Sequence, residues 1–532
     1  MTRFPVGLAL LAAIFAVQGE RAVRANGPTF DEAAHFAAGY SYWHTGDFRL
    51  NIEDPPLAKL LWTLPQFLFD PIAFEPDAAD WDTSAEWAIG NKVVFESGRT
   101  WDSLLQPARR MNLLFGVGTV ILVGIWGRQL TDNPLSGWLA AACAALDPNF
   151  VAHAVILSTD AALTFTTLLT LFCAWRYLRE PTPLRLNATG LAFGLALGAK
   201  FSAVALVPAM FVGLLAFVAS GVSAGRRLYP VAPIVRIATL AMLVVALLYF
   251  GWNLPAWGRG LKYQLVREQF NSASFYFLGE VRERGWLGYF PAALAWKMPL
   301  GILLLALAGV FVRRPRLDPA TWFVALTLSL FFLAFVIARV NLGIRIILPI
   351  LPFVYLLAGR FVADGGWRYG FGIVAVGWLA LAAHQAGPYP LAYFNETSAD
   401  RIDRLGDSNL DWGQGLPALK HWLDREQPGV IYLSYCGTAP PEAFGIRYEP
   451  LPAYGRIGPS RSERVPEKAP RILLAISVGN LQGTYLNPPT LYHWLNNRTP
   501  IARLAGSIWI FDLTGDAEAV ALVRALRAEN RE

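Results

Sequence analysis

The sequence is short of charge. Charged residues make up 16% of its 532 positions, against about 25% in an ordinary soluble domain. A soluble multidomain protein of this length needs more charged surface than that. Disordered chains are charge-rich and aromatic-poor, whereas aromatics here reach 13%, so disorder is excluded as well. Cysteine is scarce. Cys143, Cys173 and Cys436 lack metal-ligand spacing and form no disulfide framework. No basic stripe interleaved with aromatics occurs, so the net charge of +6 does not indicate nucleic acid. No P-loop, dinucleotide fingerprint or Gly-x-Ser-x-Gly elbow is present. The alternating segments of a membrane β-barrel are missing too.

What is present is apolar sequence in long runs. A spanning helix needs about 20 largely apolar residues. Runs at Pro5–Gly19, Met111–Gly127, Asn133–Leu146, Ala161–Trp175, Leu186–Ala199, Phe201–Gly225, Ile237–Gly258, Met298–Val312, Pro319–Ala338, Ile346–Gly359 and Tyr369–Ala399 make about eleven candidates. With the N-terminus in the cytoplasm, the connections on that side hold Arg128, then Arg176, Arg179 and Arg185, then Arg226, Arg227 and Arg236. Arg313, Arg314 and Arg316 follow, then Arg360 and Arg368. This is the positive-inside pattern. The first run is either a retained span or a cleaved signal peptide ending near Val23-Arg24-Ala25. Both place residue 26 onward outside.

Two large segments then lie outside. Residues 20–109 form a first extracytoplasmic loop, in which Leu57–Phe69 is expected to lie along the membrane interface. The tail, residues 387–532, alternates strand-like runs (Val430–Tyr435, Ile472–Ser477, Ile508–Leu513) with helix-like ones (Leu416–Asp424, Ala517–Arg527). The fold expected is an all-α polytopic membrane domain over 1–386 with a small extracytoplasmic α/β domain over 387–532.

The chemistry-bearing residues sit on that outer side. Asp31-Glu32 and Glu53-Asp54 are two acidic pairs beside apolar segments, and Pro55-Pro56 stiffens the backbone that presents Glu53. Partial burial can tune such acids as general bases; solvated charges capping short helices are the alternative. His35, four residues after Asp31, shares its helix face. It reads better as a structural histidine than as a ligand, because a metal needs three or four convergent groups. Asp160 opens an apolar run, either as a cap or as an acid at the membrane face. Lys200 and Arg345 are outer-side cations flanked by apolar helix. They suit a lipid phosphate, or snorkel to the interface. Asp407-Ser408-Asn409-Leu410-Asp411 resembles the start of a calcium loop, but Trp412 stands where that loop requires glycine and Ala418 at its last position. It reads instead as a polar loop touching the membrane domain.

Taken in order, Asp31-Glu32, Glu53-Asp54-Pro55-Pro56-Leu57, Asp160, Lys200 and the Asn341–Phe353 segment resemble polyprenyl-phosphate-dependent glycosyltransferases of the GT-C fold. The likeness is to glycosyltransferase family 39, which includes protein O-mannosyltransferases and the lipid A aminoarabinose transferase. It covers most of residues 1–414. It implies an integral-membrane enzyme of the bacterial inner membrane that moves a sugar from a polyprenyl-phosphate (undecaprenyl-phosphate-type) donor to an extracytoplasmic protein, lipid or glycan, with inversion. Asp31 matches the general base and Asp160 a second acid of the site. Glu53 matches a glutamate near the donor headgroup, and Lys200 and Arg345 the phosphate-holding cations. Glu32 and Asp54 are grouped with these as substrate-binding. Asp54 departs from the aminoarabinose transferases, which carry lysine there, and this leaves room for a divalent metal between acids. The rival classes are a lipid or solute transporter, which would place its polar groups at the bilayer midplane, and a non-catalytic binder of carrier lipid.

Overall fold

A computed structural model describes residues 3–223, 231–270, 274–312, 318–398, 402–455, 464–466 and 469–529. Arg226, Arg227, Arg313, Arg314 and Arg316 lie outside the described residues. Several helices open on one local device. Asn133, Asp147, Thr182 and Asp318 each precede a proline at the first helical position. Proline lacks an N–H where none is needed, and its φ suits the helix. The preceding side chain accepts from the amide of Leu135, Asn149, Arg185 or Thr321. Each such cap stabilises its helix by about 1 kcal/mol.

Among the described residues eight helices are long and apolar enough to cross a membrane: Arg3–Ala25, Trp101–Thr131, Asp160–Arg179, Phe201–Ala219, Val231–Leu248, Pro319–Ala338, Ile344–Asp364 and Arg368–Ala386. Tyr289–Lys297 and Leu300–Val310, bent by 113° where Pro299 interrupts the helical hydrogen bonds, form either a broken ninth span or a re-entrant loop. The protein is therefore a polytopic helical membrane protein, but the eleven spans expected are not confirmed. Two of the expected ones are shorter helices, Pro134–Leu146 of 13 residues and Pro183–Ala199 of 17. Both remain in the bundle, packed against Trp101–Thr131 and against Val231–Leu248 respectively.

The bundle has two distinct faces. On one, Arg179 pairs with Asp318 at 3.0 Å, Arg236 binds Asn187 and Arg360 donates to the Val312 carbonyl. These belong to the expected cytoplasmic arginines. The opposite face, here the loop face, carries residues 26–100 and the C-terminal domain. Leu57–Phe69 is a helix there. Ala58, Leu60, Trp62 and Thr63 are buried while Leu68 and Phe69 stay exposed. It lies close against the helix Glu32–Thr45, because a Cβ at Gly39 would fall against the Lys59 carbonyl.

The C-terminal domain is built on a five-stranded sheet in the order Tyr448–Pro450, Ile431–Ser434, Leu473–Ser477, Ile508–Asp512, Ala502–Leu504. The first three strands are parallel and the last two antiparallel to their neighbours. Helices Leu416–Glu426 and Ala517–Glu529 accompany it. The three longest strands and both helices fall where the sequence pattern puts them; the two outer strands, of three residues each, carry no such pattern. The domain is seated on the first loop. Phe30 stacks on Tyr454 at 5.4 Å, and Thr438 Oγ1 donates to the Phe30 carbonyl at 2.7 Å.

Candidate functional site

Asp31 stands immediately before the helix Glu32–Thr45, at its N-cap, but its side chain makes no capping hydrogen bond. Its carboxylate is thus not spent on the helix end. It is presented by the residue beside it. Glu32 is fully buried and forms a two-point ion pair with Arg109, Nε to Oε1 at 2.8 Å and Nη2 to Oε2. The same carboxylate accepts from the amides of Thr29 at 2.8 Å and Leu157 at 3.0 Å. Arg109 also donates to the carbonyls of Asn26 and Gly27, both at 2.7 Å. Burial would raise the Glu32 carboxyl, but Arg109 and the two amides overcome it and hold the group below the usual range. Glu32 therefore joins the first loop to the Trp101–Thr131 helix and to the turn before Asp160. Its oxygens are occupied by protein, which separates it from the other residues expected to bind substrate.

Burial pushes the Asp31 carboxyl above the usual carboxylate range; His35 and Arg345 oppose the shift, while Asp407 and Asp54 add to it. His35 is fixed by its Nδ1, which faces the Leu157 carbonyl at 2.6 Å. A carbonyl only accepts, so Nδ1 carries the proton and Nε2 faces Asp54 Oδ2 at 3.7 Å. Thr159 Oγ1 donates to the other Asp54 oxygen at 3.2 Å. His35 is thus structurally anchored, as expected, and also lines the acidic group.

The loop bearing Glu53 and Asp54 is held from below by Lys59. Its buried ammonium donates to the Asn51 carbonyl at 3.0 Å, to Asn51 Oδ1 at 2.7 Å and to the Asp54 carbonyl at 2.7 Å. Burial pushes this ammonium down to about 8, with Asp54 and Glu86 opposing. Glu86 accepts from Asn51 Nδ2 at 2.8 Å, and burial raises its carboxyl. Glu53 is half-buried at the tip of the same turn.

Three expected residues meet at the ends of three helices. Asp160 opens Asp160–Arg179, Lys200 closes Pro183–Ala199, and Arg345 lies in the first turn of Ile344–Asp364. Lys200 Nζ lies 2.6 Å from Asp160 Oδ1, and Arg345 Nη1 lies 3.8 Å from Oδ2. Asp160 Oδ2 is buried and accepts no hydrogen bond. One carboxylate thus orders two cations, and the trio keeps one net positive charge (+2 −1). This is the arrangement a phosphate dianion or diester would find attractive.

The C-terminal domain reaches into this group. Arg345 lies over the Trp412 ring, 4.3 Å from its centroid, and donates through Nε to the Leu342 carbonyl at 3.2 Å. Asn409 Oδ1 accepts from the Ile344 amide at 3.0 Å. Ser408 Oγ donates to the Leu342 carbonyl at 2.5 Å, beside Gly343, whose φ of 102° only glycine adopts readily. The buried Lys297 donates to the Asn409 carbonyl at 2.6 Å and to that of Leu391 at 2.9 Å. Asp407, bonded to Tyr485 Oη, lies within electrostatic reach of both Asp31 and Arg345. The 406–414 stretch is thus a loop touching the membrane domain, as its turn-rich polar sequence indicates.

Asp31, Asp54, His35, Asp160, Lys200 and Arg345 are brought together on the loop face. Sequence reasoning missed Asp407, Tyr485, Trp412, Lys59, Glu86 and Arg109. Asp407 and Trp412 at least lay in a segment singled out for its polarity. Lys59 is a single cation within an apolar stretch and Arg109 is one of an adjacent pair with Arg110; neither had a comparable signal. Among the described residues no group of three or more His, Cys, Asp or Glu side chains is arranged to hold a metal ion.

Residues 10–256 match the family model described as dolichyl-phosphate-mannose-protein mannosyltransferase. No curated protein matches the chain. Among solved structures the fold is similar to ArnT from Cupriavidus metallidurans bound to undecaprenyl phosphate, at 13% identity and a TM-score of 0.49, over 95% of this chain and 97% of that one. The apo state of ArnT gives 13% identity and 0.47 over the same shares. The S. cerevisiae protein O-mannosyltransferase Pmt1–Pmt2 complex bound to the sugar donor gives 16% and 0.33, over 52% of this chain and 39% of that chain. Over residues 10–256 the sequence is similar to this mannosyltransferase domain, and the chain is a membrane glycosyltransferase similar to the polyprenyl-phosphate-dependent enzymes.

Proposed function

We propose that the protein transfers a sugar from a polyprenyl-phosphate donor to an extracytoplasmic acceptor, with Asp31 as general base. The carrying observation is the convergence of an uncapped, proton-avid carboxylate with a Lys200–Asp160–Arg345 cation pair at one membrane face. In this reading Lys200 and Arg345 hold the donor phosphate. Asp160 orients both cations, and Trp412 fixes the guanidinium plane. Glu53 and Asp54 border the sugar. Asp31 takes the proton of the acceptor nucleophile as its oxygen, or an equivalent atom, bonds the anomeric carbon. The carbon–oxygen bond to phosphate breaks, and the polyprenyl phosphate leaves with that electron pair. A raised pKa makes Asp31 a stronger base than an ordinary carboxylate. The cations stabilise charge on the leaving phosphate where it develops. Burial of the lipid tail between helices supplies binding energy remote from the bond being broken.

The arginines on the opposite face support a cytoplasmic assignment for that side, and in this reading the reaction runs on the periplasmic side of a bacterial inner membrane. We take residues 1–386 as the catalytic membrane unit and 387–532 as the domain that completes it.

The test is a proteoliposome assay with polyprenyl-phosphate donor labelled in its sugar. Label should pass to an envelope acceptor fraction as free polyprenyl phosphate appears in equal amount. Movement of intact donor across the bilayer without release of polyprenyl phosphate would make the protein a transporter.

A further inference from the structure

A second cationic recess lies on the loop face, apart from the Lys200–Arg345 pair. Arg282, Arg284, Gly285, Trp286, Leu287, Gly288 and Arg339 line a cavity of about 410 Å³, within the range of small-ligand sites. Arg282 has one acid, Glu280, and its guanidinium also lies 4.9 Å from the Trp286 ring centroid. Among the described residues Arg284 and Arg339 have no carboxylate partner. Glu283 is exposed but does not line the recess. Two further features adjoin it. Gly288 is the N-cap of the nine-residue helix Tyr289–Lys297, with no side-chain cap and no acid in its first turn. Its dipole favours an anion. Asn341, 2% exposed, accepts from the Trp286 amide at 2.6 Å through Oδ1 and leaves Nδ2 without a partner.

The rim is apolar. Leu278 and Leu287 are half exposed, at 51% and 48%. Arg339 directly follows the membrane-crossing helix Pro319–Ala338, whose Leu333 and Ile337 are exposed along its side. Phosphate-seeking groups beside a lipid-facing helix end, with apolar side chains at the mouth, match a lipid headgroup better than a soluble anion.

We propose that this recess binds the phosphate of an anionic membrane lipid in the leaflet on the loop face, at a site separate from the donor phosphate. Asn341 links the recess to the 339–345 segment that carries Arg345, so an occupied recess steadies the strap on which the catalytic cation sits. The inference does not depend on the transfer chemistry.

Native mass spectrometry tests it, with detergent-purified full chain and an equimolar mixture of phosphatidylglycerol and phosphatidylcholine. Wild type should retain phosphatidylglycerol with about a tenfold preference. Arg284→Ala/Arg339→Ala should lose that preference, and Arg284→Lys/Arg339→Lys, which keeps the charge, should recover most of it. Arg345→Ala should keep it. The proposal is overturned if the double alanine variant retains the preference, or if Arg345→Ala alone abolishes it, since the lipid then occupies the donor site. Displacement of the lipid by millimolar inorganic phosphate would make the ligand a soluble phosphate and overturn the lipid assignment. Monodisperse gel filtration of each variant, with both spans of lipid-to-protein ratio matched, separates loss of binding from loss of fold.

Discussion

Glu32 and Arg109 should behave as a positioning pair and not as substrate ligands. Both side chains are almost wholly buried, at 0% and 1% residual exposure. Removing one partner of such a pair leaves an uncompensated charge and costs about 3–5 kcal/mol. The two single changes differ. Glu32→Gln keeps a shape that still accepts from the Thr29 or Leu157 amide, and it leaves Arg109 bonded to the Asn26 and Gly27 carbonyls. It belongs at the low end. Arg109→Met strips those two carbonyls of a donor as well, each worth about 1–3 kcal/mol when buried, and belongs at the high end or above. Glu32→Gln/Arg109→Met removes both charges, so its loss should be smaller than the sum of the singles by at least about 2 kcal/mol. Unfolding in mixed detergent–SDS micelles measures all three. Steady-state transfer adds the functional readout. Because Glu32 sets the helix end that presents Asp31, Glu32→Gln should lower kcat with little change in donor KM. A raised donor KM with unchanged unfolding free energy would refute the reasoning and return Glu32 to the substrate.

Three further outcomes follow from the same site. Asp31 must be ionised to act, so activity rises with pH through its pKa. Arg345 lowers that pKa and Asp407 raises it, so the acid limb of kcat/KM should move up in pH in Arg345→Ala and down in Asp407→Asn; limbs that stay put would detach both residues from Asp31. Lys59 releases its proton at about 8 when folded and near 10.5 when unfolded. Between these values the unfolded chain binds more protons, so stability should rise with pH there by up to about 3 kcal/mol. The slope, measured by thermal unfolding from pH 7.5 to 10, should vanish in Lys59→Met. Trp412→Ala removes the ring beneath Arg345, a contact worth about 1 kcal/mol, and should raise donor KM about fivefold; an unchanged KM would mean the ring does not order the guanidinium.

Much of the framework was legible because it is written in periodicity and punctuation. Apolar runs locate the spanning helices, and the Asp318-Pro319 pair starts one of them. Short, nearly continuous apolar runs over Ile472–Ser477 and Ile508–Leu513 locate the central strands. The count of spans was less legible because a run of apolar residues does not state its helix length. Leu186–Ala199 lies in a 17-residue helix, and Met298–Val312 is only the second limb of a helix bent at Pro299. Within the site, the scarcity of charge made Asp31, Asp160, Lys200 and Arg345 visible, since any ionic group beside an apolar run stands out. Partners were not visible. Glu32 finds Arg109 across 77 positions, and Asp407 comes to Arg345 from another domain. Such pairings depend on how the helices pack, which no local pattern encodes.

Single-turnover transfer by Asp31→Asn tests the central claim most directly. A positioned carboxylate base contributes roughly 10²–10⁴ in rate. The amide is nearly isosteric and removes no capping bond, so donor binding and unfolding should change little while the chemical step slows by about that factor. A wild-type rate in Asp31→Asn, measured at saturating donor and acceptor, would contradict the account and remove Asp31 as the base.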